Sequence, residues 1–178
     1  MATTKWALDP AHSELQFKVK HMMITTVTGG FDTFKVTAET EGEDFSTAKI
    51  SLEAETASIN TGSADRDKHL RSGDFFDVEQ FPSMKFEATE FKPDGSGSDY
   101  VLKGDLTIRG VTKAVKLDVE FGGIGKDPWG NTKAGFTLSG KINRKDWGLN
   151  WNAALEAGGV LVSEEVRLLG EIQLAKVA

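Results

Sequence analysis

Seven stretches of this chain alternate apolar and polar residues with a period of two, and few folds can use that rhythm. Leu15, Phe17 and Val19 alternate with Glu14, Gln16, Lys18 and Lys20. Ile50, Leu52 and Ala54 alternate with Ser51, Glu53 and Glu55, and Met84, Phe86 and Ala88 with Lys85, Glu87 and Thr89. The same rhythm returns at 102–108, 115–121, 134–142 and 166–174. Successive side chains of a strand point to opposite faces, so each stretch reads as a strand with one apolar and one charged face. That is a sheet with one wet side. A further strand is expected at 30–38, with Phe31 facing opposite to Phe34 and Val36. About eight strands result, the number at which a closed barrel is filled by side chains or encloses one small ligand. The expected fold is therefore all-β, a single antiparallel barrel spanning 1–178, with one or two short helices.

The punctuation agrees. Pro93-Asp94-Gly95-Ser96-Gly97-Ser98-Asp99 reads as a turn. Arg109-Gly110 separates two alternating runs and predicts a hairpin. The polar segment 63–72 lacks an apolar alternate face, and Ser63 with Asp67 resembles a helix N-cap, so a short helix is expected there. A second helical turn is expected at 21–26. Glycine supplies 19 residues and proline only 4, which suits strands that bend at glycines. Gly104, Gly140 and Gly170 fall on the inward phase, where they either relieve crowding or leave room for a ligand.

Charge and motifs narrow the function. Lys plus Arg is 21 against 27 for Asp plus Glu, a net charge of −6, which argues against a nucleic-acid partner. No segment approaches the roughly 20 apolar residues of a membrane helix. With no cysteine there is no disulfide or thiolate chemistry. The start of the chain lacks the pattern of a signal peptide. A cytoplasmic protein is expected from the chain as given, or a periplasmic one if it is a processed mature form. No nucleophile elbow, zinc-protease motif or phosphate loop is present. The three histidines, His12, His21 and His69, lie on separate segments and predict no metal site. Asp9, His12 and Ser13 have the residue types of a triad, but neighbours on one short segment rarely reach triad geometry. Asp9-Pro10 reads as a turn and Ser13 as the start of a strand.

The candidate site follows from the apolar phase. Phe contributes 11 residues and Tyr 1, and Phe fills space without needing a hydrogen-bond partner. Such an interior is dry and suits an acyl or isoprenoid chain better than a sugar. Phe17, Phe34, Leu70, Phe75, Phe76, Phe86, Leu106, Phe136 and Trp147 are the candidate apolar contacts. Arg66, Asp67 and His69 are candidates for a polar mouth that grips a head group; the alternative is an ion-paired helix packing Leu70 on the barrel. Trp129, Trp147 and Trp151 read as anchors of the barrel rim or as an aromatic lip.

Taken together these residues resemble the YceI-like family. The resemblance runs from Trp6 to about Leu174. It rests on Asp9-Pro10-Ala11-His12-Ser13 with Phe17-Lys18-Val19-Lys20-His21-Met22, and on Gly30-Phe31. It rests further on 66–77 followed by Phe81-Pro82, on 104–113, and on Arg144-Lys145-Asp146-Trp147-Gly148 with Val166. It implies a lipocalin-like barrel whose apolar pore holds a polyisoprenoid or related amphiphile, such as a prenyl phosphate or an isoprenoid quinone, often in a homodimer. Many relatives carry a signal peptide, which this chain lacks. The family supplies no catalytic set to transfer. The reading is binding, storage or transport of a small lipid ligand, held non-covalently and without a cofactor. Two other readings stay open: an enzyme on a lipid-like substrate with Asp67 or His69 as acid–base, and a ligand-free stress or interaction barrel.

Overall fold

The computed structural model describes residues 2–22, 24–95, 97–152 and 161–177. Eleven strands follow one another: β1 (Thr3–Leu8), β2 (Glu14–His21), β3 (Thr25–Phe31), β4 (Phe34–Glu41), β5 (Asp44–Glu55) and β6 (Ile59–Asn60). After the helix α1 (Ala64–Arg71) come β7 (Ser83–Pro93), β8 (Asp99–Ile108), β9 (Val111–Lys126), β10 (Thr132–Asn143) and β11 (Glu165–Val177). Every pairing is antiparallel. The order β1-β4-β5-β7-β8-β9-β10-β11 closes on itself where β1 pairs β11, which makes an eight-stranded barrel. The expected architecture is the observed one.

β2, β3 and β6 prolong three of those barrel strands. β1 and β2 both run along β11, the first beside its C-terminal half and the second beside its N-terminal half. The break between them is a 3-10 turn, Pro10–His12. β3 and β4 are separated by Asp32 and Thr33, and β5 and β6 by the turn Thr56–Ser58. Residues of the first two breaks and of β6 line one polar surface groove, with Pro10, Ser13, Asp32, Thr33 and Asn60 in its wall. Each break moves the inward phase by one residue. Trp6 and Leu8 are inward before the first, and Leu15, Phe17 and Val19 after it. Phe31 is inward before the second, and Val36 and Ala38 after it. Phe31 and Val36 thus line the same interior, which corrects the expectation that they face opposite ways. A one-residue shift in a strand exchanges its two faces, and here the shift is made in the backbone bend rather than in the pairing.

One end of the barrel is plugged by aromatic rings. Trp6 is 1% exposed and lies 4.9 Å from Phe45 between ring centroids. Phe45 touches Phe121 and Phe136, which stack on one another at 5.0 Å. Phe91 stacks on Tyr100 at 4.6 Å and meets Phe136. Each such pair contributes about 0.5–1.5 kcal/mol beyond its area burial. The Trp6 indole N–H donates to Thr40 Oγ1 at 2.9 Å, and that hydroxyl donates to the Gly42 carbonyl at 2.7 Å, so the buried polar atoms of these two side chains are both satisfied.

The glycines settle as crowding relief. A side chain at Gly104 would run into the Glu87 carbonyl and the Phe86 ring, one at Gly140 into Leu117, and one at Gly170 into Leu138. The β8–β9 hairpin turns on Arg109 (φ 52°) and Gly110 (φ 73°), the pair of positive angles that a tight two-residue turn requires. The turn between β7 and β8 lies where expected; Ser96 within it is outside the described residues. The second helical turn is not formed. The β2 strand continues to His21 and Met22 (φ 53°) turns the chain into β3, with Met23 outside the described residues.

Candidate ligand-binding cavity

The barrel encloses a cavity of about 480 Å³, within the range of small-molecule sites. Phe45, Phe91 and Phe136 of the plug form its floor. Inward residues of β4, β5 and β7–β11 form the walls, among them Val36, Leu52, Phe86, Leu106, Leu117 and Leu138. Polar residues enter the lining along β2, from the end of β6 through α1, and after β10: Gln16, Lys20, His21, Thr61, Asp65, Arg66, His69 and Arg144. The interior is therefore dry along its length and polar at one end.

That end is assembled from segments that are not barrel strands. Ser63 caps α1, its hydroxyl accepting from the Arg66 amide. Thr61 and Asp67 hold the helix against β6. The Asp67 carboxylate accepts from the Thr61 amide at 2.8 Å and from its hydroxyl. Arg66 donates through Nε to Thr61 Oγ1 at 2.7 Å and through Nη2 to the Thr61 carbonyl at 2.6 Å. His69 Nε2 lies 2.9 Å from Asp74 Oδ2. Its ring stands edge-on to Trp151 at 4.5 Å and to Phe75 at 5.1 Å. On the facing side Phe17 touches Phe31, and Phe31 touches Phe76.

Arg144 organises the rest of the mouth. It is 3% exposed. Its guanidinium donates to the carbonyls of Ser163 (2.9 Å), Trp151 (2.9 Å), Val162 (3.3 Å) and Leu149. Its centre stands 6.0 Å from the Phe75 ring centroid. Burial pushes its pKa below the ordinary arginine value, and the nearby Glu164 opposes that shift. A cation in this position satisfies backbone carbonyls that a loop passing over a barrel end would otherwise leave bare.

Of the twelve sequence candidates, Phe17, Leu70, Phe75, Phe76, Phe86, Leu106, Phe136, Arg66 and His69 line the cavity. Three stand outside its wall. Phe34 faces the polar groove at the strand breaks. Asp67 is buried beneath Thr61. Trp147 is a core anchor whose indole donates to the Leu106 carbonyl at 2.8 Å. The three tryptophans divide accordingly: Trp147 anchors, Trp151 forms the lip, and Trp129 projects at 82% exposure from the β9–β10 hairpin. Sequence reasoning missed Arg144, Phe31, Phe45 and Phe91 as lining residues, and offered Trp151 only as one of three tryptophans that anchor the rim or form a lip. Arg144 lay in a motif used for the family resemblance, but only the convergence of four carbonyls shows its role.

The Asp9, His12 and Ser13 segment is structural. Ser13 Oγ donates to the Asp9 carbonyl at 2.7 Å and accepts from the Gln173 amide at 2.9 Å, so it is not paired with the histidine. The Asp9 carboxylate receives Lys133 Nζ at 2.8 Å and His12 Nδ1 at 3.0 Å. Among the described residues no group of three or more His, Asp or Glu is gathered to hold a metal ion. No helix among them is long and apolar enough to cross a membrane.

A closed eight-stranded antiparallel barrel with a dry interior and a polar mouth defines a class of small-molecule-enclosing β-barrels. The model of the YceI-like domain matches residues 6–174, and the chain belongs to that family. It is 42% identical over 165 residues to UPF0312 protein SA2479 of Staphylococcus aureus strain N315, covering 92% of this chain and 93% of that one. Among solved structures it is similar to a YCEI protein of Campylobacter jejuni, with TM-score 0.77 and 31% identity over 96% of this chain and 97% of that one. BcnA of Burkholderia cenocepacia shares the fold at TM-score 0.79 and 21% identity, over 93% of this chain and 98% of that one. A polyisoprenoid binding domain from Saccharophagus degradans shares it at 0.67 and 16%, over 97% and 98%.

Proposed function

We propose that this protein binds one long apolar amphiphile, of the polyisoprenoid or isoprenoid-quinone kind, inside the barrel and carries or stores it. The observation that carries this reading is the dry cavity of about 480 Å³ whose polar side chains are gathered at one end. An apolar tail lies along the walls and gains from burial at about 0.8 kcal/mol per methylene. A polar head stays at the mouth beside Arg66 and His69. A hydroxyl placed in the tail would lose its hydrogen bonds to water and find no partner in the walls. The fold shared with a polyisoprenoid binding domain supports the same ligand class. Binding is non-covalent and needs no cofactor or catalytic group. Asp67 is occupied by Thr61, which weighs against it as a proton-transfer partner of His69.

The test is organic extraction of the purified protein followed by mass spectrometry, with farnesol and geranylgeraniol as added probes. An isoprenoid recovered at one per chain is the expected result. Affinity should rise about tenfold per five-carbon unit, at ~0.3 kcal/mol per non-hydrogen atom. Leu138→Trp, which fills the cavity from its wall, should abolish uptake. An extract without lipid together with no affinity for either probe would overturn the reading. His69→Ala should keep the ligand, and loss of a lipid-converting turnover on that substitution would instead establish an enzyme.

A further inference from the structure

The mouth of the cavity carries a second feature that ligand enclosure does not use. The turn between β2 and β3 projects beside it. Ile24 in that turn is 74% exposed and Met22 is 42% exposed. The strand ends that lead into the turn do line the cavity, through Lys20 and His21 on one side and Val27 on the other. The Met22 amide donates to the Leu161 carbonyl at 2.7 Å, so the turn is tied to the rim by its backbone while its apolar tips point to solvent.

Cations stand in a row just below this turn. Lys18 on β2 is directly opposite Arg167 on β11, and Arg167 is directly opposite Lys141 on β10. Lys20 follows two residues on along β2, at the rim of the cavity. Like charges placed directly opposite one another destabilise a sheet. Among the described residues Lys18, Lys20 and Arg167 have no carboxylate within ion-pair distance, and Lys141 has only Glu165 at 3.9 Å. On the same outer face Glu165 precedes Arg167 on β11, 3.9 Å from Lys141, and Glu14 lies opposite Glu171 farther from the mouth. A chain of net charge −6 thus keeps this row of cations on the outer face of β2, β11 and β10 below the cavity mouth, while Asp65, Asp74 and Glu164 lie on the other segments of the rim.

An apolar tip flanked by cations, three of them without a carboxylate partner among the described residues, matches an anionic lipid surface: the tip enters the acyl boundary and the cations meet the phosphates. We infer that the cavity mouth docks on an anionic bilayer through Met22 and Ile24, with Lys18, Lys20, Arg167 and Lys141 against the head groups. This rests on the proposed ligand reading and deepens it. A mouth pressed on a bilayer lets an apolar chain pass between membrane and cavity without crossing water.

The experiment is co-sedimentation of the full chain with phosphatidylglycerol vesicles and with phosphatidylcholine vesicles, in parallel with geranylgeraniol binding in solution. The wild type should pellet with phosphatidylglycerol at low salt, and high salt should release it. Ile24→Asp and the double variant Lys18→Glu/Arg167→Glu should each lower the bound fraction at least about tenfold, while both still take up geranylgeraniol. Trp129→Ala, on the opposite end of the barrel, should pellet like the wild type. Absence of wild-type pelleting, equal pelleting with both vesicles, or an unchanged Ile24→Asp would overturn the docking inference and leave the cavity reading standing. Loss of pelleting in Trp129→Ala alone would overturn it in favour of the far end. Vesicle binding without any uptake of geranylgeraniol would sink the ligand reading and leave the docking surface in place.

Discussion

The two ends of the barrel are both built of aromatic rings, and they differ in what holds the rings. At the closed end Trp6, Phe45, Phe91, Tyr100, Phe121 and Phe136 all sit on strands of the closed ring, where backbone pairing and ring packing reinforce each other. At the mouth, Phe75, Phe76 and Trp151 sit on connections, and His69 on a two-turn helix. Those connections are held by Arg144 and by the Thr61–Asp67 contacts rather than by strand pairing. Local opening is easiest where few backbone hydrogen bonds join a segment to the core. The same residue types therefore make a floor held by strand pairing at one end and a rim held by side-chain contacts at the other.

That contrast is open to attack from both ends. The largest effect is expected from Trp6→Ala, which removes a fully buried ring and the hydrogen bond that its indole gives the Thr40 hydroxyl. It should cost about 3–5 kcal/mol in denaturant unfolding, and a loss under 1 kcal/mol would show that the plug is not part of the global core. Arg144→Met comes next. It should cost about 1–3 kcal/mol, and amide exchange should accelerate in 144–152 and 161–165 while the β8–β9 hairpin stays protected. Uniform acceleration across the barrel would break the distinction between the two ends. Trp151→Ala should leave stability within about 1 kcal/mol and speed release of bound geranylgeraniol about fivefold, measured by stopped-flow dilution.

The smallest effect concerns the bend that joins the two halves. Lys133, and next to it His12, hold the Asp9 carboxyl at about 2, below its ordinary 3.8. A carboxyl lowered in this way stabilises the fold fully above its unfolded pKa of about 3.9. That contribution is lost as the pH falls through about 2. Asp9→Asn should therefore flatten the acid limb of the stability profile between roughly pH 4 and 2, and an unchanged limb would remove Asp9 from the account.

Much of this was readable before any coordinates. The alternating runs marked the inward residues of seven strands, because a strand writes its two faces directly into sequence parity. Ser63 marked the helix, and Arg109-Gly110 the hairpin, because both depend on a few adjacent residues. The motifs between Trp6 and Leu174 pointed to the family. Nine of the twelve candidate site residues reach the cavity wall, on the apolar phase of strands, on the helix at the mouth, or, for Phe75 and Phe76, on the link that follows it.

The rest was decided by tertiary structure. Phe31 joins Val36 in the cavity because a two-residue break shifts the parity, and Phe91 joins Phe86 because a bulge at Ala88 and Glu90 does the same on β7. Trp147 and Trp151 are four residues apart in similar surroundings, and only the approach of Leu106 and of His69 makes one an anchor and the other a lip. Arg144 has its role because carbonyls from 149, 151, 162 and 163 converge on it. Periodicity records which face a residue belongs to along an unbroken strand. It does not record where the backbone bends, or which distant carbonyls a bend brings together, since those follow from closing the ring.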